Sequence, residues 1–156
     1  MRTHVTHPIL AILLITGLGS AFAAPPSTGS ISRHTWNGIS GVAISDLTAD
    51  PDYPDSPDAT TTDSSFHAPV DTADNFGTRM FGWVHAPVTG DYTFWIHSDD
   101  NGELWLSTTE SPDDRQMIAN VPGWTNNAEW NKYPEQQSVT IPLVAGEYYF
   151  IEALMK

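Results

Sequence analysis

The sequence contains no cysteine, so neither disulfides nor a thiolate metal centre support the fold. Cations are scarce: six Lys and Arg stand against 19 Asp and Glu, for a formal net charge of −13. Such a surface repels phosphate backbones, which argues against nucleic acid as a partner. No segment is apolar over the roughly 20 residues that a membrane-spanning helix requires. No amphipathic helical pattern follows the first residues. The histidines lack the His-x-x-x-His spacing of a helical metal site, and no serine sits in a nucleophile-elbow context. Glu103, Glu129 and Glu135 do not single out a pair of carboxylates facing across a cleft, as glycoside hydrolysis needs. The expectation is therefore a domain that is not an enzyme.

What is present begins with an export signal. Met1-Arg2 opens a short polar stretch, Ile9 to Ile15 is an apolar run, and Ala21-Phe22-Ala23 has the small-x-small cleavage pattern. Residues 1–23 read as a signal peptide, so the chain is expected to be secreted or displayed on a cell surface, without a membrane span after cleavage. Removal of that leader leaves 133 residues with a net charge of −14, enough for one domain with a two-layer core. Residues 24–35 are mostly small and polar and read as a flexible lead-in, with the domain proper over 36–156.

Within the domain, Val42 and Ile44 alternate with small residues and suggest an opening strand. Asp50 to Asp58 carries three prolines and four aspartates, which excludes a helix or a central strand and marks a long loop. Its aspartates serve turns, with a Ca²⁺ loop as the alternative. Strands follow at Arg79–His85, Tyr92–His97, Glu103–Ser107, Gln116–Ala119, Ser138–Leu143 and Tyr148–Leu154. Tyr92, Phe94 and Ile96 share one face by the two-residue period. Asn101-Gly102 between two strands predicts a hairpin. Gly90-Asp91-Tyr92-Thr93-Phe94 is echoed by Gly146-Glu147-Tyr148-Tyr149-Phe150, read as two similar turns feeding strands. Short strands with Gly and Pro turns point to an antiparallel β-sandwich.

The sharpest acidic feature is Ser98-Asp99-Asp100-Asn101-Gly102, with two adjacent carboxylates at the predicted hairpin tip. Adjacent carboxylates at a turn repel each other unless a cation compensates them, and hard cations such as Ca²⁺ take oxygen ligands from such loops. Surface turns use the same residues without any ion, so composition alone leaves both readings open.

The run Gly90-Asp91-Tyr92-Thr93-Phe94-Trp95-Ile96-x-Ser98-Asp99-Asp100-Asn101-x-Glu103-Leu104-Trp105-Leu106 resembles the protective-antigen-type (PA-fourteen) domain. So does Ile141-Pro142-Leu143-x-Ala145-Gly146-x-Tyr148-Tyr149-x-Ile151-Glu152. The likeness runs from about Trp36 to the end and is specific from Arg79 onward. It implies a twisted antiparallel β-sandwich that binds carbohydrate. It also implies that Asp99 and Asp100, joined by a cis peptide, hold a Ca²⁺ that coordinates sugar hydroxyls. Such members add an Asn and backbone carbonyls from a later loop, here Asn120 to Gln136. Asn126 or Asn127 is the candidate metal ligand, with Asn131 also available. Trp124 and Trp130 in that loop can offer flat faces to a pyranose ring or pin the loop to the sandwich. His97 can line the site or pack within its strand. The family adds a strand beyond the Tyr-x-Ile-Glu-Ala segment, so the resemblance implies a C-terminally truncated sandwich from a larger multidomain protein.

The function expected is an extracellular, calcium-dependent, lectin-like module for adhesion or targeting, with a glycan or polysaccharide as partner. The alternatives are a structural spacer of a surface protein and an accessory domain of a secreted glycosidase.

Overall fold

The computed structural model describes residues 29–70 and 73–156, together with the backbone of residues 10–15. Most of the expected signal peptide, and the start of the lead-in, lie outside the described residues.

The strands in chain order are β1 (Leu10–Ile15), β2 (Ile31–Asn37), β3 (Ala59–Asp63), β4 (Phe76–His85), β5 (Gly90–His97), β6 (Gly102–Leu106), β7 (Gln116–Val121), β8 (Ile141–Leu143) and β9 (Tyr148–Met155). One short helix, α1 (Ile44–Thr48), lies between β2 and β3. The strands form two antiparallel sheets, one ordered β3-β2-β4-β9-β6-β7 and one ordered β1-β5-β8. The all-β sandwich expected from the sequence is the fold observed.

The core lies between the sheets and follows the two-residue period. β5 sends Tyr92, Phe94 and Ile96 inward, and all three are buried. They meet Leu104 and Leu106 of β6, Ala119 and Val121 of β7, and Tyr149, Ile151, Ala153 and Met155 of β9. Burying each large apolar side chain contributes about 1.5–3 kcal/mol, so this layer supplies most of the driving force. The opposite face of the long sheet carries a charged cluster. Arg79 donates to Glu152 Oε2 from Nε (3.0 Å) and Nη2 (2.7 Å), and Arg115 Nε lies 3.7 Å from Oε1. Two cations thus compensate a carboxylate that is almost wholly buried.

Several local expectations are corrected. The strand around Val42 and Ile44 is instead the approach to α1. Asp46 Oδ2 accepts from Ala43 N at 2.9 Å, which closes a helical turn. Gly41, at φ +93°, leaves the room that this carboxylate occupies. Within the expected lead-in, β2 starts at Ile31 and pairs with β3 on one side and β4 on the other. The Asp-rich segment after α1 ends in β3, an edge strand that its prolines do not interrupt. Asp58 of this segment accepts from Asn37 N and Asp50 from Asp52 N, and Asp63 of β3 pairs with Arg33.

The predicted hairpin at Asn101-Gly102 does not form. β5 and β6 are both present, but they belong to different sheets, so residues 98–101 carry the chain across the sandwich. Gly102 is the first residue of β6 and not a turn residue. A Cβ there would lie 2.6 Å from Ser98 Cβ, so the glycine permits the close crossing. The echoed Gly-acid-Tyr-x-Phe segments also differ in use. Tyr92 and Phe94 point into the inter-sheet core, whereas Tyr148 is exposed and Phe150 packs outside that layer, against Phe81 and Trp83. Trp83 is 57% exposed, and its Nε1 donates to Glu110 O.

Candidate functional site

The crossing segment 98–101 places Asp99 and Asp100 at one end of the sandwich, both partly exposed. Their peptide bond is cis, as the sequence resemblance implied. Ser98, just before them, is fully buried and is the anchor of the site.

The anchor holds the later loop. Thr125 N donates to Ser98 O at 2.8 Å. Ser98 N donates to Thr125 Oγ1 at 3.0 Å, and Thr125 Oγ1 donates to Ser98 O at 3.1 Å. Thr125 is itself fully buried. The clamp thereby ties the loop that carries Asn126 to the residue that precedes the acidic pair.

The loop has its own frame. Asn126 donates to Glu129 Oε2 from its backbone N (2.8 Å) and from Nδ2 (3.0 Å). The side-chain amide is thereby oriented, with its NH₂ directed to Glu129 and its Oδ1 on the other branch. Glu129 N returns a bond to Asn126 O, and Ala128 takes a positive φ of 58° within that turn. Buried Gln136 fastens the loop's far end, donating to Ile96 O (2.9 Å) and Glu129 O (2.6 Å). Asn127 and Asn131 are exposed.

The two loop tryptophans divide in role. Trp130 is partly buried with its ring 4.5 Å from that of His97, in an edge-to-face contact. That is a pinning contact, and it accounts for His97 as a packed strand residue with no exposure. Trp124 is 49% exposed, and Lys132 Nζ sits 3.2 Å from its ring centroid. Lys132 Nζ also donates to Trp124 O at 2.6 Å. The ring is thus held in place at the surface with a cation on one face.

One positive charge lies behind the acids. Lys156 is buried; its backbone N donates to Asn101 O (3.0 Å) and its Nζ to Gly41 O (2.8 Å). Desolvation lowers its pKa from the ordinary lysine value, opposed by attraction to Asp46 and Asp100.

Among the described residues, no three His, Cys, Asp or Glu side chains cluster to hold a metal. The candidate donors named from the sequence, the Asp99 and Asp100 carboxylates and an Asn126 amide oxygen, are all oxygen. That set suits a hard cation such as Ca²⁺, whose remaining positions carbonyls, water or ligand hydroxyls can fill. It does not suit zinc, which favours imidazole and thiolate. The carboxylates considered for catalysis are otherwise engaged or exposed. Glu103 accepts from Trp105 Nε1 at 3.0 Å, Glu129 holds Asn126, and Glu135 is exposed.

The residues that build the site, Ser98, Thr125, Glu129 and Gln136, were not legible in the sequence. Their contacts join positions up to 40 apart, and none carries a spacing signal.

The two-sheet antiparallel sandwich, with the acidic pair and the clamped loop at one end, defines a class of all-β domain. The chain belongs to the PA14 domain family, whose model matches residues 41–155. It is 34% identical over 132 residues to the mouse N-acetyl-beta-glucosaminyl-glycoprotein 4-beta-N-acetylgalactosaminyltransferase 1, covering 82% of this chain but 13% of that protein. Human fibrocystin-L is 35% identical over 86 residues, covering 53% of this chain and 2% of that protein. The chain therefore corresponds to a small part of each curated relative. Among solved structures, the fold is shared with two Candida glabrata adhesin domains. The epithelial adhesin 9 A domain, in complex with Galb1-4GlcNAc, superposes with a TM-score of 0.54 at 14% identity, over 97% of this chain and 82% of that one. The epithelial adhesin 6 A domain, in complex with Galb1-3GlcNAc, gives 0.50 at 17% identity, over 85% of this chain and 75% of that one.

Proposed function

We propose that this chain is a non-catalytic, calcium-dependent glycan-binding module, exported by its N-terminal leader and acting within a larger surface or secreted protein. The observation that supports this reading is the Ser98–Thr125 clamp, which ties the loop carrying Asn126 to the residue just before the cis Asp99–Asp100 pair. Asp99, Asp100 and the Asn126 amide oxygen would hold Ca²⁺, with Asn127 at the margin of the site. The ion, when bound, supplies direct coordination of vicinal sugar hydroxyls. The chain's own residues do the rest. Trp124 presents an anchored ring beside the tip for a pyranose face, and Trp130 keeps the loop seated on His97. The glycan-complexed adhesins that share the fold support a sugar as ligand, and the multidomain relatives support a module within a larger protein. Such a shallow, open site fits affinities of ~0.1–10 mM per domain, or about −3 to −5.5 kcal/mol, raised by multivalency.

The test is a glycan array probed with the purified chain in Ca²⁺ and in chelator, alongside Asp99→Asn and Asp100→Asn. Circular dichroism first establishes that each variant is folded. Binding that needs Ca²⁺ and disappears in both folded variants is expected. Glycan binding that survives chelation and both substitutions would sink the reading. Calcium uptake by the folded parent with no glycan bound would instead make the domain a calcium-stiffened spacer.

A further inference from the structure

The outer face of the long sheet carries a cleft. Alternation along β6 sends Leu104 and Leu106 into the inter-sheet core, which turns Glu103 and Trp105 outward. On β9 the same alternation turns out Glu152, which stands opposite Trp105 in the ladder. Together with α1, Tyr53, Asp113 and Arg115 these residues line a cleft of about 540 Å³, a volume that suits a small-molecule ligand. Its lining is fixed in place. The Tyr53 ring lies 5.0 Å from that of buried Trp36, whose Nε1 donates to Asp52 O at 3.1 Å. Asp113 N donates to Ser111 Oγ at 3.2 Å, and Arg115 Nη1 donates to Pro112 O at 2.7 Å. Trp105 Nε1 is held on Glu103 Oε2 at 3.0 Å. A further strand of the fold does not fill this cleft. Strands add at a sheet edge, and the floor strands β6 and β9 are each paired on both sides.

The lining suits an uncharged, hydroxyl-bearing ring. Tyr53 and Trp105 supply flat apolar faces. Glu103 and Asp113 can accept from hydroxyls and Arg115 can donate to them, because a carboxylate and a guanidinium each have more hydrogen-bonding capacity than the contacts above use. Glu103, Asp113 and Glu152 stand against Arg79 and Arg115, a nearly balanced set on a chain of net charge −13. An anionic ligand therefore meets no excess of cations there. The cleft also adjoins the acidic pair. Glu103 lies three residues beyond Asp100, so their Cα atoms are at most ~11 Å apart whatever the path of the chain. Lys156 ties the two regions further, with its backbone N on Asn101 O and its Nζ on Gly41 O at the approach to α1. We propose that the cleft is an extension subsite of the glycan site. With a terminal sugar on Asp99 and Asp100, it takes the following residues of an uncharged linear oligosaccharide, one ring against Trp105 and hydroxyls on Glu103, Asp113 and Arg115. The inference rests on the calcium-dependent reading given above and makes its ligand an oligosaccharide, not a single sugar.

The test is an NMR titration of the full chain in Ca²⁺. The probes are glucose, mannose and galactose, each with its linear oligosaccharides of two and four residues. In the series that binds, the four-residue form should bind at least ~10-fold tighter than the single sugar. Trp105→Ala and Asp113→Ala should each remove more than half of that gain, while single-sugar and Ca²⁺ affinities stay within about twofold of the parent. Trp124→Ala should weaken every length alike. Circular dichroism establishes that each variant is folded; if Trp105→Ala is not, Asp113→Ala decides, because Asp113 is an exposed turn residue. Equal affinity at every length overturns the subsite and leaves the calcium reading standing. A length gain that survives in every folded cleft variant places the added residues elsewhere and overturns it as well. No calcium-dependent binding in any series overturns the calcium reading, and this inference with it.

Discussion

Replacing Thr125 by valine tests whether the clamp positions the site. Both Thr125 and Ser98 are fully buried, so a group left unpaired there gains no water. Valine keeps the shape and the backbone bond from Thr125 N to Ser98 O. It deletes the acceptor of Ser98 N and one donor to Ser98 O. A buried N–H left without an acceptor costs about 1–3 kcal/mol. For a domain of this size that lowers the melting temperature by about 4 °C per kcal/mol. Urea unfolding, followed by tryptophan fluorescence, measures the loss. Thr125→Ser keeps the hydroxyl and should lose less than ~1 kcal/mol, the value of a buried methyl. The same titrations in Ca²⁺ separate stability from positioning. Ion binding adds RT ln(1 + [L]/Kd), about 2.7 kcal/mol at a hundredfold excess over Kd. A variant that is merely less stable keeps that increment. If the proposed site is right, Thr125→Val should lose most of it, because the loop carrying Asn126 is no longer tied to the segment of Asp99 and Asp100. A Thr125→Val protein within about 0.5 kcal/mol of the parent, with the full calcium increment, would refute the reasoning.

Three further outcomes follow from the packing and the charges. Arg79→Met strands the Glu152 carboxylate, leaving only Arg115 at 3.7 Å, and should cost about 3–5 kcal/mol by urea unfolding; adding Glu152→Gln should recover part of that loss. Gly102→Ala puts a methyl 2.6 Å from Ser98 Cβ and 3.2 Å from Ile96 Cδ1, so it should destabilise by about 1–3 kcal/mol and weaken binding at the adjoining acids, measured by thermal melts and calcium titration. His34 has its pKa lowered from 6.5 by desolvation first and by Arg79 second, between the rings of Trp36 and Phe81. The unfolded chain binds its proton more readily, so stability from this group is present above pH 6.5 and is lost as pH falls through the lower folded value. Chemical denaturation between pH 7.5 and 5 should show that loss, and His34→Phe should flatten this part of the profile.

The period-two apolar runs of β5 and β9 were sufficient to identify an all-β domain and most of its strands. They act through local geometry: alternate side chains on a strand reach opposite faces whatever the partner. The same runs could not say which strands pair. Gly90–His97 and Gly102–Leu106 look like a hairpin, and only the close crossing at Gly102 shows that they lie in different sheets. The segment around Val42 and Ile44 read as a strand because its alternation is short, and the Asp46 side chain settled it as a helical turn.

The candidate site divides in the same way. Asp99 and Asp100 are neighbours in the chain, so sequence alone could put two carboxylates together and point to a hard cation. It left Asn126 and Asn127 as equals and gave Trp124 and Trp130 the same two possible roles. Those choices depend on contacts between residues far apart in the chain. Thr125 on Ser98 ties the loop to the segment of the acid pair, His97 under Trp130 makes that ring a pin, and Lys132 holds Trp124 at the surface. The acid pair was thus determined by the sequence itself, because adjacency is covalent. How the later loop is tied to that segment was decided only by tertiary structure, because hydrogen bonds in a buried clamp leave no periodic trace along the chain.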